Sequence, residues 1–131
     1  MGTETKKERK AWSLVRRAQS FTHAFRGLRI CIATTPNLLI HFVVTILVII
    51  AGIYFKVSEI EWIILIFAIG FVIVTEVLNT AFEIDINLTS PEYHPYARDT
   101  KDVAAGAVLL SVIIAIIIGI IVFLPKILVL F

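Results

Sequence analysis

"WIILIFAIGFVIVTEVLNTAFEIDINL", Trp62 to Leu88, decides the fold. Its first fourteen residues, Trp62 to Thr75, carry no charge, yet Glu76 and Glu83 then follow in what still reads as one apolar helix. About 20 helical residues cross the hydrocarbon core of a bilayer. Trp62 to Phe82, interrupted only by Glu76, is long enough to do so. Working outward, Leu38 to Phe55 is a second such run with His41 as its one strongly polar side chain. Val103 to Leu124 is a third, with no charge at all. The composition agrees: 59% of the 131 residues are apolar and the mean hydropathy is +0.95. Ordinary soluble domains hold about 45–50% apolar residues, and a soluble chain of this kind would expose too much apolar surface to water. The expectation is an all-α membrane protein with spans at about 38–55, 62–82 and 103–124. Cys31 is the only cysteine, which excludes an intrachain disulfide and a cysteine-based metal site.

Charge placement sets the orientation. Lys6, Lys7, Arg9, Lys10, Arg16, Arg17, Arg26 and Arg29 precede the first span. Lys56 lies in the 55–61 turn, Arg98 and Lys101 in the 83–102 segment, and Lys126 after the third span. A cytoplasmic N-terminus and 83–102 segment put ten basic residues inside and two outside, out of twelve, as the positive-inside rule prefers. The C-terminus is then expected outside the plasma membrane, and the 83–102 segment is read as a polar loop.

Met1 to Lys10 is polar and reads as a disordered tail. Residues 11–131 read as one membrane domain opened by a surface helix over 11–34. Leu14, Ala18, Phe21, Phe25, Leu28 and Ile32 make one apolar stripe. Arg16, Gln19, His23 and Arg26 fall opposite, a pattern suited to the cytoplasmic interface. Thr34, Thr35, Pro36 and Asn37 form the bend into the first span.

The two carboxylates of the opening stretch share a helix face. Glu83 follows Glu76 by seven residues, so the two project within about 20° of each other. Asn79 lies on the neighbouring part of that face, and Asn87 returns to the same stripe. A charge near mid-membrane costs about 2.5–3.5 kcal/mol on insertion scales, so such residues face protein or water and usually have a function. The plainer alternative is that Glu76 and Asn79 only join helices by hydrogen bonding, and a proton or ion pathway would use similar residues. Lys101 and Asp102 stand where the third span opens, followed by the small residues Ala104, Ala105, Gly106 and Ala107. Carboxylates near cations suit magnesium and a polyphosphate, the carboxylates holding metal and the cations holding phosphate oxygens. No phosphate-binding glycine loop and no protein-kinase motif is present, which excludes the soluble nucleotide-binding folds those motifs mark.

"EVLNTAFE", "SPEYHP", "KDVAAGAVLL" and, upstream, "SFTHAFRGL" closely resemble the bacterial diacylglycerol kinase family, including its undecaprenol kinase branch. The likeness runs from about Ser20 to Lys126, in order and with matching spacing. It implies a homotrimer of three-span subunits, each with an N-terminal surface helix, with active sites between subunits. Such an enzyme uses Mg-ATP to phosphorylate a lipid hydroxyl at the cytoplasmic interface. Its expected partners are membrane lipid, ATP and further copies of itself, with no nucleic acid. By the same resemblance Glu76 matches the general base, Asn79 a residue placing nucleotide and lipid, and Glu83 a metal ligand for Mg2+. Lys101 and Asp102 match nucleotide-binding positions, Glu92 and His94 the loop covering the nucleotide, and Arg16 a basic residue that reaches the phosphates.

Three positions depart from the family. Thr35 stands where it has a glutamate that shares the metal, Asn87 where it has an aspartate, and Leu39 where a polar or basic residue is usual. Asp99 is one helical turn before Asp102 and could substitute as a carboxylate. A glutamate introduced at Thr35 is expected to cost little, because the bend lies near the interface. The alternative to a lipid kinase is a non-catalytic trimeric relative that binds nucleotide or lipid.

Overall fold

The computed structural model describes the backbone of residues 6–130 and the side chains of residues 15–130. The expected tail falls outside it except for the backbone of 6–10, which is helical. The side chain of Leu14, first in the expected stripe, also lies outside the described residues. Four helices make up the described chain: α1 (Lys6–Thr34), α2 (Pro36–Tyr54), α3 (Glu59–Thr89) and α4 (Pro95–Leu128). The last three are long and apolar enough to cross a membrane.

The chain divides into two units, Met1–Thr34 and Thr35–Phe131. In the first, α1 leaves Phe21, Phe25, Leu28 and Ile32 of its apolar stripe exposed. The second unit is the three-span bundle, in which α3 packs against both α2 and α4.

Local chemistry fixes each boundary of the bundle. Thr35 is extended (φ −118°, ψ 95°) and Pro36 opens α2, where a missing N–H removes no helical hydrogen bond. At the other end of α2, Lys56 takes a left-handed conformation (φ 50°). Val57 N–H donates to the Gly52 carbonyl at 3.1 Å and Lys56 N–H to that of Ile53 at 3.2 Å. This is the Schellman stop, here achieved without glycine at the left-handed position. Glycine is needed instead at position 52, because a Cβ there would lie 2.6 Å from Cη2 of Trp62. Ser58 opens α3 with a capping box: Glu61 N–H donates to Ser58 Oγ at 3.3 Å, and Ser58 N–H to Glu61 Oε2 at 2.7 Å. Lys126 on α4 pairs with the other oxygen of Glu61 at 2.9 Å, joining α3 and α4 at this end. At the start of α4, His94 Nδ1 accepts from Tyr96 N–H at 3.2 Å, with Pro95 as the first helical residue.

With 31 and 34 residues, α3 and α4 run about 46 and 51 Å at 1.5 Å per residue. The hydrocarbon core is only about 30 Å thick. The surplus carries Glu83 to Thr89 on α3 and Pro95 to Asp102 on α4. The connection between the two helices is therefore only residues 90–94, and most of the expected 83–102 loop is helix. Hydropathy marks where apolar side chains end, whereas the helices continue as polar ones.

A small apolar core closes the end bearing Ser58. Val57, Leu65 and Val122 are buried, with Val48, Phe55, Trp62, Ile118 and Phe123 packed around them. Elsewhere the isoleucine- and leucine-rich faces point outward: only 11%, 22% and 11% of the apolar windows of α2, α3 and α4 are buried within the chain. In a bilayer, lipid tails or neighbouring copies cover such faces at no hydrophobic cost.

Candidate active site

The buried residues of α3 are Leu65, Ala68, Val72, Glu76, Asn79 and Thr80. Their three- and four-residue spacings trace one face of the helix. The face that packs α3 into the bundle is apolar for its first half and changes to carboxylate, amide and hydroxyl from Glu76 onward. That register explains how so greasy a span carries a carboxylate: Glu76 points into protein, and only 1% of it is exposed. Seven residues on, Glu83 is exposed, because there α3 is leaving the bundle.

Glu76 Oε2 lies 3.9 Å from Nε2 of His41 on α2, and Glu76 Oε1 is buried with no hydrogen-bond partner among the described residues. Asn79 Oδ1 is likewise buried and partnerless, while Asn79 Nδ2–H donates to Glu83 Oε1 at 3.5 Å. Buried polar oxygens are nearly always satisfied. These two oxygens, within one helical turn, can accept hydrogen bonds from a donor outside the described residues.

Hydroxyls hold this turn of α3 from both sides. Thr80 Oγ1 lies 2.8 Å from Thr35 Oγ1 and 3.1 Å from the Glu76 carbonyl oxygen. Thr80 has one hydroxyl proton, so donating it to the Glu76 carbonyl leaves Thr35 as the donor to Thr80. Toward α4, Thr75 Oγ1 and Ser111 Oγ are 2.9 Å apart, and Ser111 is 1% exposed. The helix that carries Glu76 is thus bonded to the N-cap of α2 one turn after it and to α4 just before it.

The polar ends of α3 and α4 meet through Lys101, whose Nζ donates to Asn87 Oδ1 at 2.7 Å. Asp102 and Glu92 are exposed. His94, also exposed, has Nδ1 occupied as the cap of α4. Arg98 binds Asp99 at 3.0 Å and reaches the Tyr93 hydroxyl at 3.4 Å, so Asp99 is engaged by a cation. Leu39 is exposed on α2. Arg16 is exposed on α1, in the other unit.

The structure therefore brings together Glu76, Asn79 and Glu83 on one helix, and joins Lys101 to the Asn87 end of the same stripe. It adds four residues that sequence reasoning missed: His41, Thr80, Thr75 and Ser111. His41 carried a usable signal as the only strongly polar side chain of its span. Applied to it, the rule that polar groups inside spans face protein points inward to α3. Thr35 differs from its expected setting. It is 7% exposed and its hydroxyl is committed to Thr80, so a glutamate there would break a buried bond as well as add a charge.

Magnesium is held through one or two carboxylates together with substrate phosphates. Glu83 is an exposed hard oxygen donor, with Asn79 Nδ2–H on its Oε1 at 3.5 Å. No cluster of three or more His, Cys, Asp or Glu forms among the described residues. A donor such as Glu83 fits an ion that arrives on nucleotide phosphates.

A family model described as prokaryotic diacylglycerol kinase matches residues 22–123. The chain is 41% identical over 108 residues to the undecaprenol kinase of Bacillus subtilis (strain 168), covering 82% of this chain and 88% of that protein. It is 39% identical over 101 residues to a diacylglycerol kinase of Synechocystis sp., covering 76% of this chain and 58% of that one. Against the diacylglycerol kinase of Escherichia coli (strain K12) it is 27% identical over 95 residues, 72% of this chain and 78% of that protein. The family model spans most of the chain, including α2, α3 with the buried Glu76, and most of α4: the chain belongs to the prokaryotic diacylglycerol kinase family of integral-membrane lipid kinases.

Proposed function

We propose that this lipid kinase transfers the γ-phosphate of Mg-ATP to the hydroxyl of undecaprenol at the cytoplasmic face of the plasma membrane, with Glu76 as general base. The observation that carries the reading is Glu76 itself, a carboxylate 1% exposed with one oxygen that has no partner among the described residues. A lipid hydroxyl reaching that oxygen would donate its proton to it. The hydroxyl oxygen then bonds the γ-phosphorus, the bond from that phosphorus to the β,γ-bridging oxygen breaks, and ADP leaves. Phosphoryl transfer asks the protein mainly for position and charge stabilisation. The bonds from Thr80 and Thr75 would hold Glu76 in register while Asn79 Oδ1 accepts from a second donor. Lys101, swinging from Asn87, would reach phosphate oxygens, with Asp102, Glu92 and His94 completing the nucleotide's surroundings. Magnesium, held by Glu83 and phosphate oxygens, would neutralise charge between the β- and γ-phosphates.

Undecaprenol is favoured over diacylglycerol by the fuller and higher match to the Bacillus subtilis protein. A cytoplasmic N-terminus is supported by the ten-to-two split of basic residues. A homotrimer is what the family resemblance implies, and spans with most of their apolar faces uncovered within one chain have room for neighbouring copies. The test is phosphate transfer from ATP in mixed micelles holding undecaprenol or diacylglycerol at equal mole fraction. A higher kcat/KM for undecaprenol is expected. Preference for diacylglycerol would reassign the lipid, and transfer to neither by folded protein would favour the non-catalytic reading.

A further inference from the structure

We propose that His41 is the proton outlet of Glu76, a positioning residue that resets the base after each phosphoryl transfer. The inference rests on the reading of Glu76 as base and extends it, because a base that takes a proton each turnover must also release it. Glu76 has a side chain 2% exposed and that of His41 is 17% exposed, so the pair runs from the closed interior toward the surface of the bundle. Their 3.9 Å separation is about 1 Å longer than an N–H···O hydrogen bond, a gap that a small rotation of the glutamate closes. Of the other polar side chains around this turn, Asn79 is an amide that carries no ionisable proton, and Thr75, Thr80 and Ser111 are hydroxyls already bonded to one another, to Thr35 or to carbonyl oxygens. A hydroxyl keeps its proton, whereas an imidazole nitrogen can take one up and pass one on.

The step balances without a further reagent. The carboxyl group turns about its Cγ–Cδ bond to bring the oxygen protonated by the lipid hydroxyl round to His41, and that O–H bond breaks as an N–H bond forms at the lone pair of His41 Nε2. The imidazolium then loses a proton to water, leaving Glu76 ionised for the next hydroxyl. His41 lies five residues past Pro36, about 8 Å along the α2 axis at 1.5 Å per residue. Its route out is therefore short, at the same end of the bundle as Thr35.

The experiment compares wild type, His41→Gln and His41→Ala in mixed micelles with ATP and the better lipid substrate, with and without added imidazole. His41→Gln keeps a polar side chain of similar reach that accepts no proton. It should lower kcat about tenfold or more with KM for lipid and ATP unchanged. Imidazole should restore turnover to His41→Ala in proportion to its concentration and leave His41→Gln, whose side chain fills the space, unaffected. Wild-type kcat in His41→Gln, a loss confined to lipid KM, or a folded His41→Ala that imidazole does not rescue would each overturn the outlet. If His41→Ala does not fold, the kcat and KM of His41→Gln decide alone. Glu76→Gln run alongside separates the two claims. An inactive Glu76→Gln beside an unimpaired His41→Gln leaves the base standing and removes only the outlet.

Discussion

Replacing Thr80 with valine removes one hydroxyl at nearly constant shape, and the structure says what that should cost. Thr80 is 3% exposed, and its oxygen links Thr35 at 2.8 Å with the Glu76 carbonyl at 3.1 Å. Each bond contributes about 1 kcal/mol net, and a buried hydroxyl left without a partner costs about 1–3 kcal/mol. Thr80→Val strands the Thr35 hydroxyl inside the bundle, so about 2–3 kcal/mol of destabilisation is expected. Thr35→Val removes one bond but leaves Thr80 bonded to the Glu76 carbonyl, at about 1 kcal/mol. The double variant strands nothing, so its cost should fall short of the sum of the singles by about 1 kcal/mol, the signature of directly coupled residues. The assay is reversible unfolding of all four proteins in mixed micelles, titrated with a denaturing detergent. Additivity within about 0.3–0.5 kcal/mol, the behaviour of independent sites, would refute the clamp between α2 and α3.

The remaining predictions address the far end of the bundle and its orientation. Gly52→Ala would put a Cβ 2.6 Å from Cη2 and 2.8 Å from Cζ2 of Trp62. A rigid indole must then shift, and overpacking of this kind costs about 1–3 kcal/mol; an unchanged unfolding midpoint would show that the close contact is not formed. In a Cys31→Ser background, Lys56→Cys should react with an impermeant thiol reagent on intact cells, while Ser90→Cys should react only after the membrane is opened. Lys56 is the better outer probe because the neighbouring Ser58 serves the capping box. The reverse labelling pattern would put the proposed ATP site on the wrong side.

The three spans were legible because lipid imposes one rule, about 20 apolar residues in a row, and Leu38–Phe55, Trp62–Phe82 and Val103–Leu124 obey it. The ends of the helices were not. Glu83 to Thr89 and Pro95 to Asp102 are polar, and hydropathy cannot distinguish polar helix from polar loop. The stripe from Glu76 to Glu83 followed from helical spacing alone, since seven residues return to the same face. Contacts across helices had no such rule. The Thr35 hydroxyl meets Thr80, 45 residues on, and that of Thr75 meets Ser111, 36 residues on, through a packing register that no local pattern encodes. His41 fell between the two cases: its polarity was visible, but its partner was not. The left-handed turn at Lys56 was also hidden, since that conformation is ordinarily announced by glycine.

The measurement that bears most directly on the account is the turnover of Glu76→Gln. Glutamine keeps the length and shape of the side chain and the helix register, and removes the ability to take a proton from a lipid hydroxyl. With ATP and lipid saturating, kcat should fall by about 10²–10⁴, the contribution typical of a positioned general base. KM values and oligomer size should stay at those of the wild-type protein measured beside it. A folded Glu76→Gln that turns over within threefold of wild type would contradict the central claim, because the buried carboxylate would then not be the base.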